Sequence, residues 1–176
     1  AKSIGLLDNI KSFSTISFAF IHDLLYSGLP QTPSPEVKDG STVLIKDTDF
    51  VLTYKENINV GEATVTINGK GNYKDNRVLN FKIIPTPLII TAEDKTKEFG
   101  EDDPELTVSY TGFVNGEDAE DLTGTLAISR VAGESVGSYA ITASGLTSTN
   151  YDITYTPGTF MINSRSITET DITVAP

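Results

Sequence analysis

Apolar residues recur at every second position through much of this chain. In EATVTI, Ala63, Val65 and Ile67 alternate with Glu62, Thr64 and Thr66, which is the period of a strand with one face buried and the other in water. Phe50, Leu52 and Tyr54 share a face in DFVLTY, as do Leu106, Val108 and Tyr110 in LTVSY and Tyr139, Ile141 and Ala143 in SYAITA. Asn68-Gly69, Gly71-Asn72, Asn115-Gly116 and Pro157-Gly158 punctuate the runs. These residue types accept the positive φ that tight turns require, so the pattern predicts sheets built from hairpins. The one helical signal is NGEDAEDL, where Asp118 is placed to cap a turn or two and the acidic residues suit the positive end of a helix dipole.

The pattern is written twice. VGEATVTINGKGNY, from Val60 to Tyr73, and VGSYAITASGLTSTNY, from Val136 to Tyr151, both open on Val-Gly and close on Asn-Tyr, and Phe81 and Ile83 are matched downstream by Phe160 and Ile162. The offset grows slightly along the way, as loop insertions would make it. A repeat this long exceeds the period of solenoids that share a continuous core, so each copy is expected to own its core. The prolines of IIPTPL, Pro85 and Pro87, remove backbone donors and resist continuation of a central strand, which places the boundary there. The three prolines of LPQTPSPEV predict an extended loop inside the first module. A weaker echo, between AKSI at Ala1–Ile4 and SRSI at Ser164–Ile167, suggests that a further unit begins near Asn163 and that the piece belongs to a longer array. The expected organisation is therefore a first β module over 1–84, a second over 85–162 and an incomplete further repeat over 163–176. The expected fold class is all-β, two tandem small modules, with an immunoglobulin-like sandwich first and a β-grasp-like arrangement with one short helix as the alternative.

Composition narrows the function classes. A formal charge of −11 repels phosphate backbones, because nucleic-acid affinity depends largely on cationic contacts that release counterions, and no nucleic-acid partner is expected. The absence of cysteine excludes disulfides, thiolate metal sites and a Cys nucleophile. The most apolar segment, ISFAFIHDLLY at Ile16–Tyr26, is broken by His22 and Asp23 and is shorter than the roughly 18 residues that suggest a membrane span, so no membrane contact is expected within this segment.

The segment from Leu88 to Ile162 resembles the MBG family, the mostly β, glycine-rich repeats of large bacterial surface proteins. The resemblance is carried by KEFGEDDPEL, by GTLAISR followed by GESVGSYAI, and by NYDITYTPGTFMI. The first module, with PSPEVKDGSTVL, DTDFVLTY and INVGEATVTINGKGNY, is similar to companion repeats that alternate with MBG units, and SITETDITVAP looks like the opening of the next. Ser12–Leu25 departs from that companion pattern in being more apolar, which leaves the register of the first strand open. The resemblance implies a stalk or adhesin segment on a bacterial cell surface and carries over no catalytic residue and no cofactor.

The acidic residues Glu98, Glu101, Asp102, Asp103 and Glu105 are oxygen donors of the kind Ca²⁺ takes, with Glu101, Asp102 and Asp103 the weak candidates. No EF-hand spacing accompanies them, and a solvated turn fixed by Gly100 and Pro104 is the plainer expectation. Asp47 and Asp49, and Asp118, Glu120 and Asp121, are weaker sites still. Glycosidase chemistry needs two carboxyl groups about 5–10 Å apart in a cleft, and His22, the only imidazole, has no GxSxG elbow with it. The glycines and lysines of INGKGNYK lie between strands rather than before a helix, so a phosphate cradle is not expected. No enzyme activity is expected. Carbohydrate binding is the alternative function, since sugar sites set an aromatic face beside a few polar groups. Tyr54, Tyr110 and Tyr139 fall on inward strand positions, leaving Tyr26, Tyr73, Tyr151 and Tyr155 as platform candidates, although the equivalent repeat positions of Tyr73 and Tyr151 favour packing. The expected partners are neighbouring repeats of the same chain and a host or cell-surface glycan or protein.

Overall fold

The computed structural model describes residues 10–166, and the tail of the expected further repeat, from Ile167 onward, lies outside them. The chain divides into two compact units, Ala1–Thr86 and Pro87–Pro176, between the two prolines of IIPTPL.

The first unit contains β1 (Lys11–Ser12), β2 (Ser17–Phe18), β3 (Leu24–Leu25), β4 (Val37–Asp39), β5 (Thr42–Val43), β6 (Phe50–Lys55), β7 (Gly61–Gly69), β8 (Tyr73–Lys74) and β9 (Asn76–Ile84). They form a four-stranded sheet in the order β3-β9-β7-β6, a three-stranded sheet β2-β4-β5, and a parallel pair of β1 with β8. The alternation in EATVTI has its expected consequence: Ala63, Val65 and Ile67 are fully buried. Phe13, Ile16, Val37, Leu44, Phe50 and Ile67 form one core cluster, which takes side chains from both larger sheets. The apolar run at Ser12–Leu25 resolves into a short 3-10 turn, Phe13–Thr15, capped by Ser12 and flanked by two-residue strands. Phe13 of the turn and Ile16, its C-cap, are buried in that core cluster. The proline-rich loop is pinned by Gln31 N–H donating to Asn57 O at 2.7 Å, Asn57 Nδ2 to Gln31 O at 2.8 Å and the Tyr54 hydroxyl to Pro33 O at 3.0 Å.

The second unit contains β10 (Thr86–Ala92, from the last residue of the first unit), β11 (Lys95–Glu98), β12 (Val108–Thr111), β13 (Thr123–Arg130), β14 (Gly137–Thr147), β15 (Tyr151–Thr156) and β16 (Gly158–Asn163). A three-stranded sheet has the order β12-β10-β15 and a four-stranded sheet the order β11-β16-β14-β13. Consecutive segments β10 and β11 thus lie in different sheets, the chain crossing from one to the other at Glu93-Asp94. Ala92 of the first sheet and Ile141, Phe160 and Ile162 of the second form one buried cluster, so the two sheets share a core. Burying a side chain such as Ile162 or Phe160 contributes about 1.5–3 kcal/mol, enough for a handful of such residues to decide whether a small module folds.

Among the described residues the helical content is two 3-10 turns, the second of them Ala119–Asp121. Its cap is the predicted Asp118, in a capping box with Asp121. This is too short to lie across a sheet as a β-grasp helix does, and the paired sheets with a shared core are those of a sandwich. The prolines act more locally than expected. Pro87 sits inside β10, but its paired stretch with β12 begins at Ile89, so the missing N–H costs that ladder nothing.

The repeat in the sequence is a repeat in register. Gly61 pairs with Ile83 and Ala63 with Phe81; Gly137 pairs with Ile162 and Tyr139 with Phe160. Each unit then adds a parallel strand outside its last one, β3 on β9 and β11 on β16.

Candidate functional site

Four charged residues gather at one end of the inner face of the second unit's four-stranded sheet. Lys97 lies on β11 opposite Ile162, and Arg130 ends β13 opposite Ile141, so both point to the side on which the core lies. Only 4% of the Lys97 side chain and 9% of the Arg130 side chain remain exposed. Lys97 Nζ donates to Asp103 Oδ1 at 2.7 Å and to Glu134 Oε2 at 2.5 Å. Arg130 grips Asp103 bidentately, Nε to Oδ2 at 2.5 Å and Nη2 to Oδ1 at 3.0 Å, and reaches Glu134 Oε1 at 2.6 Å. Its Nη1 donates to Val131 O at 2.9 Å and Gly133 O at 2.8 Å. A guanidinium has five N–H donors in a fixed fork, and this geometry uses all of them. The same guanidinium carbon lies 4.6 Å from the centre of the Phe160 ring and 5.6 Å from that of Tyr139. Gly133 is required here, because at φ +154° its missing side chain leaves the space occupied by the Tyr139 ring, which a Cβ would meet at 2.3 Å.

The electrostatics lock these charges in place. Hydrogen bonds from Arg130, and then from Lys97, hold the Asp103 carboxyl at about 2. Those from Lys97, and then Arg130, lower Glu134. The same carboxylates raise Lys97 and Arg130, Asp103 contributing most to each. A nucleophilic lysine needs a neutral amine, and an amide bond to Asp103 would need an uncharged carboxyl; both partners are held in the opposite state. The cluster is built to connect strands.

The candidate Ca²⁺ ligands do not converge. Asp103 is taken by the two cations, and Glu101 Oε2 accepts the Glu98 N–H at 3.1 Å. Among the described residues no group of three or more His, Asp or Glu side chains is arranged to hold a metal ion. The other carboxylates serve their own loops: Asp49 Oδ2 accepts Ile45 N–H, Asp118 Oδ1 accepts Glu120 N–H and Asp121 Oδ2 accepts Asp118 N–H. Asp47 adopts a positive φ of 67° in a turn, its carbonyl bonded by Lys70 Nζ.

The tyrosines that were candidates for an exposed platform are occupied elsewhere, Tyr73 and Tyr151 in the packing roles that their equivalent repeat positions favour. Tyr26 and Tyr151 are buried, and Tyr73 and Tyr155 half-buried. The Tyr151 hydroxyl donates to Glu117 at 2.5 Å and accepts Val114 N–H at 3.1 Å, and its ring meets Phe113 edge-on. The Tyr73 ring packs against Phe13 and its hydroxyl donates to Asp39 at 3.2 Å. Tyr155 donates to Leu146 O and accepts Leu146 N–H, pinning β15 to β14. The reason is geometric: the hydroxyls let a large apolar ring go inward while its polar tip ties down a neighbouring loop. The more exposed of two outward phenylalanines, Phe20 at 77% against Phe99 at 51%, has the exposed His22 ring edge-on at 5.3 Å. It borders a shallow groove of about 180 Å³ with Asp23, Glu62, Asn80 and Lys82.

Comparison with known proteins bears on the second unit. Residues 88–161 match the MBG domain (YGX type). The matched stretch contains β11 to β15, all but the ends of β10 and β16, and the whole ion cluster, so the cluster lies within the part of the chain that is similar to that domain. No curated protein matches the chain. No helix among the described residues is long and apolar enough to cross a membrane.

Proposed function

We propose that this chain is a non-catalytic structural segment of a large bacterial cell-surface protein, a stalk or spacer that sets the reach of other parts. The observation that carries this reading is the match of residues 88–161 to the MBG domain, in a chain that uses the same four-stranded sheet order twice. The buried charged side chains of the second unit, Lys97 and Arg130, are spent on ion pairs, as suits a part that holds shape. The test is deletion of residues 10–163 from the protein as it occurs on the cell. The spacer reading expects the remaining parts to stay on the surface but to lose reach, read as weaker labelling of a distal epitope under a dense surface layer. Retained reach would overturn it.

A second reading, contact with a surface glycan, is favoured by one observation, the exposed Phe20 beside Asp23, Glu62, Asn80 and Lys82. An apolar ring flanked by hydrogen-bonding groups is the chemistry that recognises a pyranose face. On a glycan array this reading expects saturable binding to one sugar class that Phe20→Ala abolishes. Binding that survives the substitution, or no binding, refutes it.

A further inference from the structure

In a stalk under tension, load enters the second unit through β10, passes to β11 and leaves after β16. These strands are arranged to resist it. β11 and β16 are parallel neighbours, Lys95 beside Phe160 and Glu98 beside Asn163. Pulling the N-terminal end of β11 against the C-terminal end of β16 therefore slides one strand along the other. In that geometry the hydrogen bonds between them share the load and must fail together. Pulling apart the adjacent ends of an antiparallel pair breaks them one at a time. We propose that the β11–β16 seam is the mechanical clamp of this unit and that the Lys97–Asp103–Arg130–Glu134 cluster locks it, making the module a tension-bearing element. The proposal rests on the stalk reading for its biological use, and on geometry alone for its mechanics.

The seam is bonded beyond its ladder. Asp94 Oδ1 accepts Thr159 N–H at 2.6 Å before the first pair, and Phe99 N–H donates to Asn163 O at 2.9 Å after the last. Midway, Asn163 Nδ2 donates to Thr96 Oγ1 at 2.9 Å. Lys97 then ties β11 to Asp103 and Glu134, and Arg130 holds both carboxylates from β13, at the far edge of the same sheet. To slide, β11 must drag the buried Lys97 side chain away from two carboxylates that lie nearer the solvent, a cost incurred near the start of the motion. The first unit's parallel pair is shorter, Leu24 with Ile83 and Leu25 with Ile84, and places Leu24 where the second unit has Lys97.

The chain has no cysteine, so introduced thiols give unique handles. Pro87→Cys with Ser164→Cys in the full chain loads the second unit through β10–β11 and β16. Val136→Cys with Ser164→Cys loads the antiparallel β14–β16 pair at adjacent ends, since Gly137 pairs with Ile162. Single-molecule pulling should give an unfolding force at least about twofold higher for the first pair, because forced unfolding reads the barrier in the pulled direction. Lys97→Met should lower the force for the first pair and leave the second nearly unchanged. Equal forces in the two directions, or an equal loss in both on Lys97→Met, would overturn the proposal. The measurement involves no cell surface. A failed clamp therefore leaves the spacer reading intact, and a chain that is not surface-exposed leaves the clamp measurement standing.

Discussion

Where Ile83 of the first unit is flanked by Leu24 and Gly61, Ile162 of the second is flanked by Lys97 and Gly137. One step along, Phe81 pairs with Ala63 and Phe160 with Tyr139; beyond that, Val65 pairs with Tyr54 and Ile141 with Arg130. β9 and β16 keep the same Phe and Ile in the same register and β7 and β14 keep apolar residues opposite them, while the outer-strand neighbours at these positions are Leu24 and Tyr54 in one unit and Lys97 and Arg130 in the other. The contacts that correspond run to the loop after the parallel strand: Tyr54 donates to the carbonyl of Pro33 between β3 and β4, and Arg130 to the carboxylate of Asp103 between β11 and β12. The difference teaches that backbone pairing and the central apolar residues specify this sheet. Its margins accept either filling, provided that every charge brought inward arrives with its counter-charge and every donor with an acceptor.

The comparison breaks most sharply at the shared positions. Phe81→Ala and Phe160→Ala should each cost about 3–5 kcal/mol, the scale for truncating a buried phenylalanine. Phe160→Ala should be the worse of the two, because it also removes the ring beneath Arg130. Calorimetry that follows the two units as separate transitions checks both, and equal losses would separate the cluster from its floor.

Next come the positions that differ. Lys97→Leu installs the first unit's residue but strands Asp103 and Glu134 beside Arg130 alone, and should lower the melting temperature of the second unit by several degrees. The reciprocal Leu24→Lys should destabilise the first unit at least as much, because no carboxylate pair has been placed to receive it. If Leu24→Lys were tolerated, the margins would not need compensating charge.

Acid sharpens the same contrast. Asp103 has a folded pKa of about 2, against about 3.9 when unfolded, and Glu134 is shifted down as well. Their contribution is therefore fully present above pH ~4 and lost as pH falls from ~4 to ~2, since the unfolded chain binds those protons first. The second unit should lose melting temperature through that window and regain it on return to neutral pH. Glu134→Gln should flatten the profile.

Smaller effects separate the two repeated tyrosines. Tyr151→Phe leaves Val114 N–H without its acceptor and should cost about 1–3 kcal/mol. Tyr73→Phe loses one longer bond to Asp39 and should cost less in the same denaturant titration. The smallest expected effect is that of Ca²⁺. With Asp103 ion-paired, millimolar Ca²⁺ should leave both transitions in place, whereas a site filled at 100 times its dissociation constant would add about 2.7 kcal/mol to one of them.

Much of this was written locally. Alternation at Ala63, Val65 and Ile67, the turn residues between the strands, the Asp118 cap and the doubled Val-Gly phrase each depend on neighbours a few positions away, and local sequence states such things directly. Arg130 was half legible, because it continues the alternate face of Leu126 and Ile128 in TLAISR; a charge at the end of an apolar face is a signal for an inward ion pair. Lys97, in KTKEF, carries no such mark.

What the sequence alone determined about this protein is its β period, its turns and its repeat, all consequences of residue type and spacing. What only the tertiary structure decided is which residues meet. Asp103 joins Arg130 and Glu134 joins Lys97 across gaps of 27 and 37 residues. β11 leaves the sheet of β10 to lie parallel to β16. Those outcomes depend on where a strand of one sheet crosses to the other and on which carboxylate lies close enough to offset the desolvation of a buried cation. Both are properties of chain paths in space, and a one-dimensional pattern of apolar and polar residues does not encode distance between its ends.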